Sequence, residues 1–150
     1  MTAAQRFVRA EPEAVYDLVA DVSRMGEWSP ECYRCEWVGS TTGPEVGARF
    51  RGWNRFKGLR WSRLCEVVTA DRGREFSFRT VPTGVFRDVT VWTFRLVPQE
   101  DGTLVEELYA LQKQTWPFKL SDRFSGHPTA LERGMEETLA RIARAAEAAR

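Results

Sequence analysis

The sequence has little of what marks several classes of protein. It contains only three cysteines, Cys32, Cys35 and Cys65, which is an odd count and too few for a disulfide scaffold. No run approaches the roughly 20 apolar residues of a membrane-spanning helix. The segment from Met1 to Ala10 lacks the apolar core of a signal peptide. We therefore expect a reducing, cytoplasmic location and no membrane span.

The sequence has no marked excess of either charge sign, and the motifs of several enzyme classes are missing. The 22 basic and 21 acidic residues give a formal net charge of +1. This balance offers no electrostatic footprint for nucleic acid or an anionic membrane, so we predict no nucleic-acid partner. There is no phosphate loop, dinucleotide fingerprint or nucleophile elbow, and we expect no cofactor. The only histidine is His127, so any Ser-His-Asp or Cys-His arrangement of a hydrolase would have to use it.

One motif, Cys32-Tyr-Arg-Cys35, has the CxxC spacing of some metal and redox sites. It falls inside a predicted strand, where positions three apart face opposite sides of a sheet. A zinc site would need a second pair of ligands, and Cys65 and His127 are far apart in sequence. We therefore predict neither a metal site nor a redox role for this motif.

Aromatic residues are abundant. Six tryptophans and nine phenylalanines stand among 150 residues, in a chain whose 43% apolar and 29% charged content is typical of globular proteins. A chain of this length folds as one domain, residues 1–150, without a metal or disulfide. The aromatics either fill a large core or form the rigid walls of a cavity.

Turn residues divide the chain into an ordered series of elements. The predicted strands are Thr2–Arg9, Cys32–Val38, Gly47–Phe56, Arg60–Thr69, Arg74–Val81, Phe86–Val97 and Thr103–Gln114. The predicted helices are Pro12–Val22, Ser23–Trp28 and Thr129–Ala149, the last preceded by a loop from Trp116 to Pro128. Short, evenly spaced strands indicate an antiparallel meander. The apolar stripe of the long helix should then pack on the concave face of a curved sheet, in an α+β domain.

Four segments resemble a known superfamily. They are Ala10–Asp21, Met25–Glu31, Val46–Asn54 and Gly134–Ile142. On these the chain resembles the START-like polyketide cyclase/dehydrase and lipid-transport superfamily, whose helix-grip fold is shared with the major birch pollen allergen. The resemblance implies a sheet of six to seven strands around the C-terminal helix, with two short helices after the first strand. It also implies a cavity for a small hydrophobic molecule, with Trp28 beside its mouth.

Strand alternation predicts which side chains face this cavity. The predicted ligand-binding residues are Trp28, Phe50, Trp61, Cys65, Phe76, Phe78, Trp92, Phe94, Met135 and Leu139. The alternative interpretation is that the same side chains fill a dry core.

Polar residues interrupt the apolar face. Arg63, if it points inward, needs a carboxylate of the protein or of the ligand, and otherwise a bulge leaves it exposed. Glu106 and Glu107 are adjacent, so one of them faces the interior, either paired with Arg63 or in water at the sheet edge. Asn54 either donates to a ligand carbonyl or serves the following turn.

Three functional hypotheses follow. The first is binding of a polyketide, lipid or aromatic metabolite without chemistry. The second is a polyketide cyclase or aromatase, for which Tyr33, Asn54, Arg63 and Glu107 are the candidate catalytic residues. The third is a protein-interaction module with a homodimer interface, whose contacts would be Trp37, Trp53 and Trp116.

Overall fold

The computed structural model describes residues 2–84, 86–113 and 127–149. Its strands are β1 (Thr2–Val8), β2 (Cys32–Trp37), β3 (Arg49–Phe56), β4 (Leu59–Asp71), β5 (Glu75–Thr80), β6 (Val89–Gln99) and β7 (Gly102–Lys113). Its helices are α1 (Pro12–Val19), a single 3-10 turn (Val22–Arg24), α2 (Met25–Trp28) and α3 (His127–Ala148). All neighbouring strands pair antiparallel in the order β1-β7-β6-β5-β4-β3-β2. This confirms the predicted α+β helix-grip architecture.

The element boundaries differ from the predicted ones where turns intervene. Strand β6 begins at Val89, three residues after the predicted Phe86, because Phe86 instead bridges back to Thr83. Helix α3 begins at His127, so it takes in the end of the predicted loop, and the remainder of that loop lies outside the described residues.

Helix α1 begins at Pro12, whose fixed φ suits the first turn and whose missing N–H would have no partner there. Its apolar residues Val15, Tyr16 and Val19 are buried, and the Tyr16 ring meets Phe76 of β5 edge-on at 6.2 Å. Helix α1 therefore covers one end of the concave face.

Helix α3 buries the predicted stripe, including Met135, Leu139, Ile142 and Ala146. It packs mainly on β1 and against α1 and α2. The concave faces of the strands from β3 to β6 are therefore left partly uncovered beneath it. Among the described residues, no helix is both long and apolar enough to cross a membrane.

The prediction that Cys32 and Cys35 face opposite sides of the sheet is wrong. Strand β2 carries a register shift between Cys32 and Arg34, which leaves Tyr33 as an extra residue. A bulge of one residue reverses the alternation beyond it, so the two cysteines face the same side. Both are buried on the concave face.

Candidate ligand cavity

A cavity of about 750 Å³ lies between the concave face of the sheet and helices α2 and α3. This volume falls within the roughly 300–1,000 Å³ of small-molecule sites. Eight of the predicted ligand-binding residues border it: Trp28, Phe50, Trp61, Cys65, Phe78, Trp92, Phe94 and Met135. Their role in binding stays a prediction.

Two predicted lining residues do not border the cavity. Phe76 is completely buried and fills the space between β5 and α1, where its ring meets Tyr16. Leu139 is only 2% exposed and packs in the core under α3. Both side chains therefore contribute to stability and leave the cavity wall to neighbours such as Phe78, whose ring contacts Phe50 at 5.0 Å.

The short helix α2 is held close to α3 at one side of the cavity. The Arg141 Nη1 donates to the Trp28 carbonyl at 3.2 Å, and Trp28 itself is buried. Gly134 allows this approach, because a Cβ at its position would lie 3.3 Å from the Pro30 Cγ. Trp28 and Pro30 therefore form part of the wall where the two helices meet.

Glu107 is the inward-facing member of the predicted acidic pair. It lies between Ala4 and Phe94 in the sheet, is 4% exposed and borders the cavity. Its Oε2 has no hydrogen-bond partner among the described residues. Burial raises the pKa of Glu107 to about 8, so the carboxyl is mostly neutral at pH 7 and its O–H can donate to a ligand oxygen.

Arg63 faces inward, and a protein carboxylate compensates its charge, while its Nε has no hydrogen-bond partner among the described residues. Its Nη1 donates to the Asp88 Oδ1 at 2.9 Å and Oδ2 at 3.0 Å, and its Nη2 donates to the Asp88 carbonyl at 3.0 Å. The guanidinium also lies 5.4 Å from the Phe86 ring centre. The partner is therefore Asp88 and not Glu107. The alternation through Thr90 and Trp92 already placed Asp88 on the inner face, which was the signal available in the sequence.

The candidate catalytic residues are only partly brought together. Asn54, Arg63 and Glu107 border the cavity, whereas Tyr33 does not. Tyr33 is the extra residue of the β2 bulge, and the guanidiniums of Arg55 and Arg60 lie 5.3 and 6.0 Å from its ring centre. Tyr33 itself therefore lies outside the cavity wall, although Arg55 and Arg60 border the cavity.

Two polar features of the wall were missed in the sequence. The hydroxyls of Thr80 and Thr90 lie 3.2 Å apart near Asp88, and the Tyr109 ring packs at a tilt against Trp92 with ring centres 4.7 Å apart. All of these residues line the cavity. Alternation pointed to Thr90, but the cross-strand partners depend on register, which the sequence leaves open.

The tryptophans of the dimer hypothesis occupy different environments. Trp37 packs edge-on against Phe50 at 5.7 Å, and Trp53 lies beneath the Arg34 guanidinium at 4.7 Å. Trp116 lies outside the described residues. The homodimer interface stays a prediction.

Comparisons with known proteins agree with this geometry. Residues 2–147 match the family model described as "Polyketide cyclase / dehydrase and lipid transport". A polyketide-cyclase-like protein from Corynebacterium glutamicum is 29% identical, with a TM-score of 0.60 over 95% of this chain and 88% of that one. Major latex-like protein 151 from Panax ginseng is 14% identical, with a TM-score of 0.73 over 96% and 95%.

The di-domain ARO/CYC of the steffimycin biosynthetic pathway is 16% identical, with a TM-score of 0.68 over 98% of this chain and 44% of that one. No curated protein sequence matches this chain significantly. The family match spans nearly the whole chain, and the fold and cavity accord with it. The chain belongs to the polyketide cyclase/dehydrase and lipid transport family.

Proposed function

We propose that this protein binds a small hydrophobic molecule, such as a polyketide, lipid or aromatic metabolite, inside the cavity. The observation that carries the proposal is the 750 Å³ space walled by aromatic rings, with one neutral carboxyl, Glu107, facing it. Burying about 300 Å² of apolar ligand surface at about 25 cal/mol per Å² contributes roughly 7 kcal/mol. The ordering of ligand and protein offsets part of this gain.

The polar groups of the wall restrict the ligand further. The orphaned Glu107 Oε2 calls for a ligand carbonyl or hydroxyl, because a buried polar atom without a partner is destabilising. The Arg63 charge is already compensated by Asp88, which removes the need for a ligand carboxylate. The expected ligand is therefore uncharged where it meets Arg63 and Glu107, apolar over most of its surface and oxygenated at one point.

Filling the cavity is the test of binding. Asn54→Phe places a larger side chain on the cavity wall, while Trp53→Phe alters the adjacent residue, which does not border the cavity. We expect Asn54→Phe to weaken binding of aromatic and acyl probes at least about tenfold, or about 1.4 kcal/mol, and Trp53→Phe to leave it unchanged. Tryptophan fluorescence titration and native mass spectrometry measure this. Equal affinities of both variants would refute binding in the cavity.

Cyclase activity is the second candidate, and the raised pKa of Glu107 favours it. A carboxyl with a pKa of about 8 can take up and release a proton near neutral pH, as a general acid–base requires. Asn54 and Arg63 border the same cavity and can orient a carbonyl chain. Incubation with a poly-β-ketone chain and detection of a cyclised, dehydrated product distinguishes an enzyme from a carrier.

A further inference from the structure

The bulge in β2 brings two thiols together on the cavity wall. The Cys32 and Cys35 sulfurs lie 3.4 Å apart, and both residues are buried from bulk solvent yet border the cavity. Both sulfurs pack over Gly52 of β3, where a Cβ would lie 3.3 Å from the Cys35 Sγ and 3.5 Å from the Cys32 Sγ. The sulfurs of a disulfide lie about 2.05 Å apart, so these two thiols need only a short further approach to reach bonding distance.

The two thiols are electronically unequal. The hydrogen bond between the two thiols lowers the pKa of Cys32, whereas the same hydrogen bond and burial raise the pKa of Cys35. Cys32 is therefore the readier thiolate, with Cys35 beside it as the second thiol. The third cysteine, Cys65, is different, because burial raises its pKa to about 12 and keeps it protonated.

We propose that Cys32 and Cys35 form a redox site, which a hydroperoxide entering the cavity converts into an intramolecular disulfide. Among the described residues no cluster of His, Cys, Asp and Glu is arranged to hold a metal ion, so the pair has no metal-binding explanation there. The sequence analysis predicted no redox role for this motif, because it placed the two cysteines on opposite sides of the sheet. The bulge places both cysteines on the same side, which is what makes a redox site possible.

The chemistry balances as a two-electron oxidation. The Cys32 thiolate attacks one peroxide oxygen, the O–O bond breaks, and the leaving oxygen takes a proton and departs as water or alcohol. Cys32 is then a sulfenic acid. The Cys35 sulfur attacks the Cys32 sulfur, the S–O bond breaks, and the hydroxyl leaves as water with the Cys35 proton. Two thiols have become one disulfide, and one peroxide has been reduced.

The cavity controls access to this site. Because both sulfurs are buried and border the cavity, an oxidant reaches them through the space that a ligand would fill. This step rests on the proposed function: a bound ligand should slow oxidation of the thiols, because it occupies the path of the oxidant.

Tryptic mapping tests the site directly, because Arg34 lies between the two cysteines. A Cys32–Cys35 disulfide joins the tryptic peptides 25–34 and 35–49, whereas Cys65 lies in peptide 64–72. The reduced full chain is exposed to a small excess of hydrogen peroxide, alkylated, digested and analysed by mass spectrometry. We expect the joined pair of peptides, lost in Cys35→Ser and retained in Cys65→Ser. Full alkylation of Cys32 and Cys35 after exposure would overturn the proposal.

A second arm tests the route of access. An uncharged apolar fluorescent probe such as N-phenyl-1-naphthylamine is added at saturation before the peroxide, and the joined peptides are followed with time. We expect the disulfide to form about tenfold more slowly with the probe bound. An unchanged rate with bound probe would overturn the route through the cavity. The tryptic mapping needs no ligand. A missing disulfide therefore contradicts the redox site alone, and a missing ligand effect contradicts the route through the cavity alone.

Discussion

Replacing Glu107 with glutamine is expected to remove a loss of stability that the wild-type protein shows as the pH rises. The folded-state pKa of Glu107 is raised from 4.5 to about 8 by burial. Between these values the folded state keeps a proton that the unfolded state has released, so the stability falls with rising pH. The contribution of this proton to the free energy of unfolding is complete below about pH 4.5 and declines by about 1.4 kcal/mol per pH unit until about pH 8.

Urea denaturation at several pH values between about 5 and 8 measures this difference. At pH 8 we expect Glu107→Gln to be more stable than the wild type by roughly 4 kcal/mol, with the gap closing toward pH 5. The matched control is Glu106→Gln, because Glu106 is the adjacent carboxylate on the opposite face of β7, paired in register with Arg95. Parallel stability profiles for wild type and Glu107→Gln would contradict a buried, neutral Glu107.

The same variant separates the two candidate functions. Glutamine still donates a hydrogen bond to a ligand oxygen, but it cannot release a proton. A carrier should therefore keep its ligand affinity in Glu107→Gln, whereas a cyclase should keep affinity and lose turnover. Glu107→Leu removes the donor as well and should weaken binding in either case.

The sequence predicts the fold because its strands alternate cleanly and its turns are marked by glycine, proline and aspartate. Alternation along β3 placed Phe50 and Asn54 on one face and Trp53 on the other, and this arrangement is observed. Such patterns depend only on the strand period of two residues, which is local information. The concave face could therefore be described before its partners were known.

The wrong predictions concern residues whose orientation or covering depends on tertiary packing. The bulge at Tyr33 reverses the alternation of β2, and no glycine marks it in the sequence. Phe76 and Phe78 share a face, yet α1 covers Phe76 and leaves Phe78 to the cavity. Neither outcome follows from periodicity, because each depends on which helix or strand packs against the residue.

The pairing of Arg63 with Asp88 was not predicted from the sequence, although alternation puts Asp88 on the inner face. Breaking this pair is expected to have the second large effect on stability. Both side chains are shielded, with 9% and 17% of their surfaces exposed. Asp88→Asn leaves the Arg63 guanidinium buried without a counter-charge, and we expect a loss of about 3 kcal/mol of unfolding free energy. Urea denaturation at pH 7 measures it.

A matched control is available in the same chain. Asp17 pairs with Arg72 at 2.8 Å with both side chains more than half exposed, so Asp17→Asn should change stability little, because water screens that pair. If Asp88→Asn behaves like Asp17→Asn, the buried pair is not a structural element of the cavity wall. The double variant Arg63→Met with Asp88→Asn should recover much of the loss, because removing both charges removes the desolvation penalty that a single substitution exposes. Recovery would mean that the charge pair supplies no net stability of its own, and that the cost of Asp88→Asn comes from the buried Arg63 charge left without a partner.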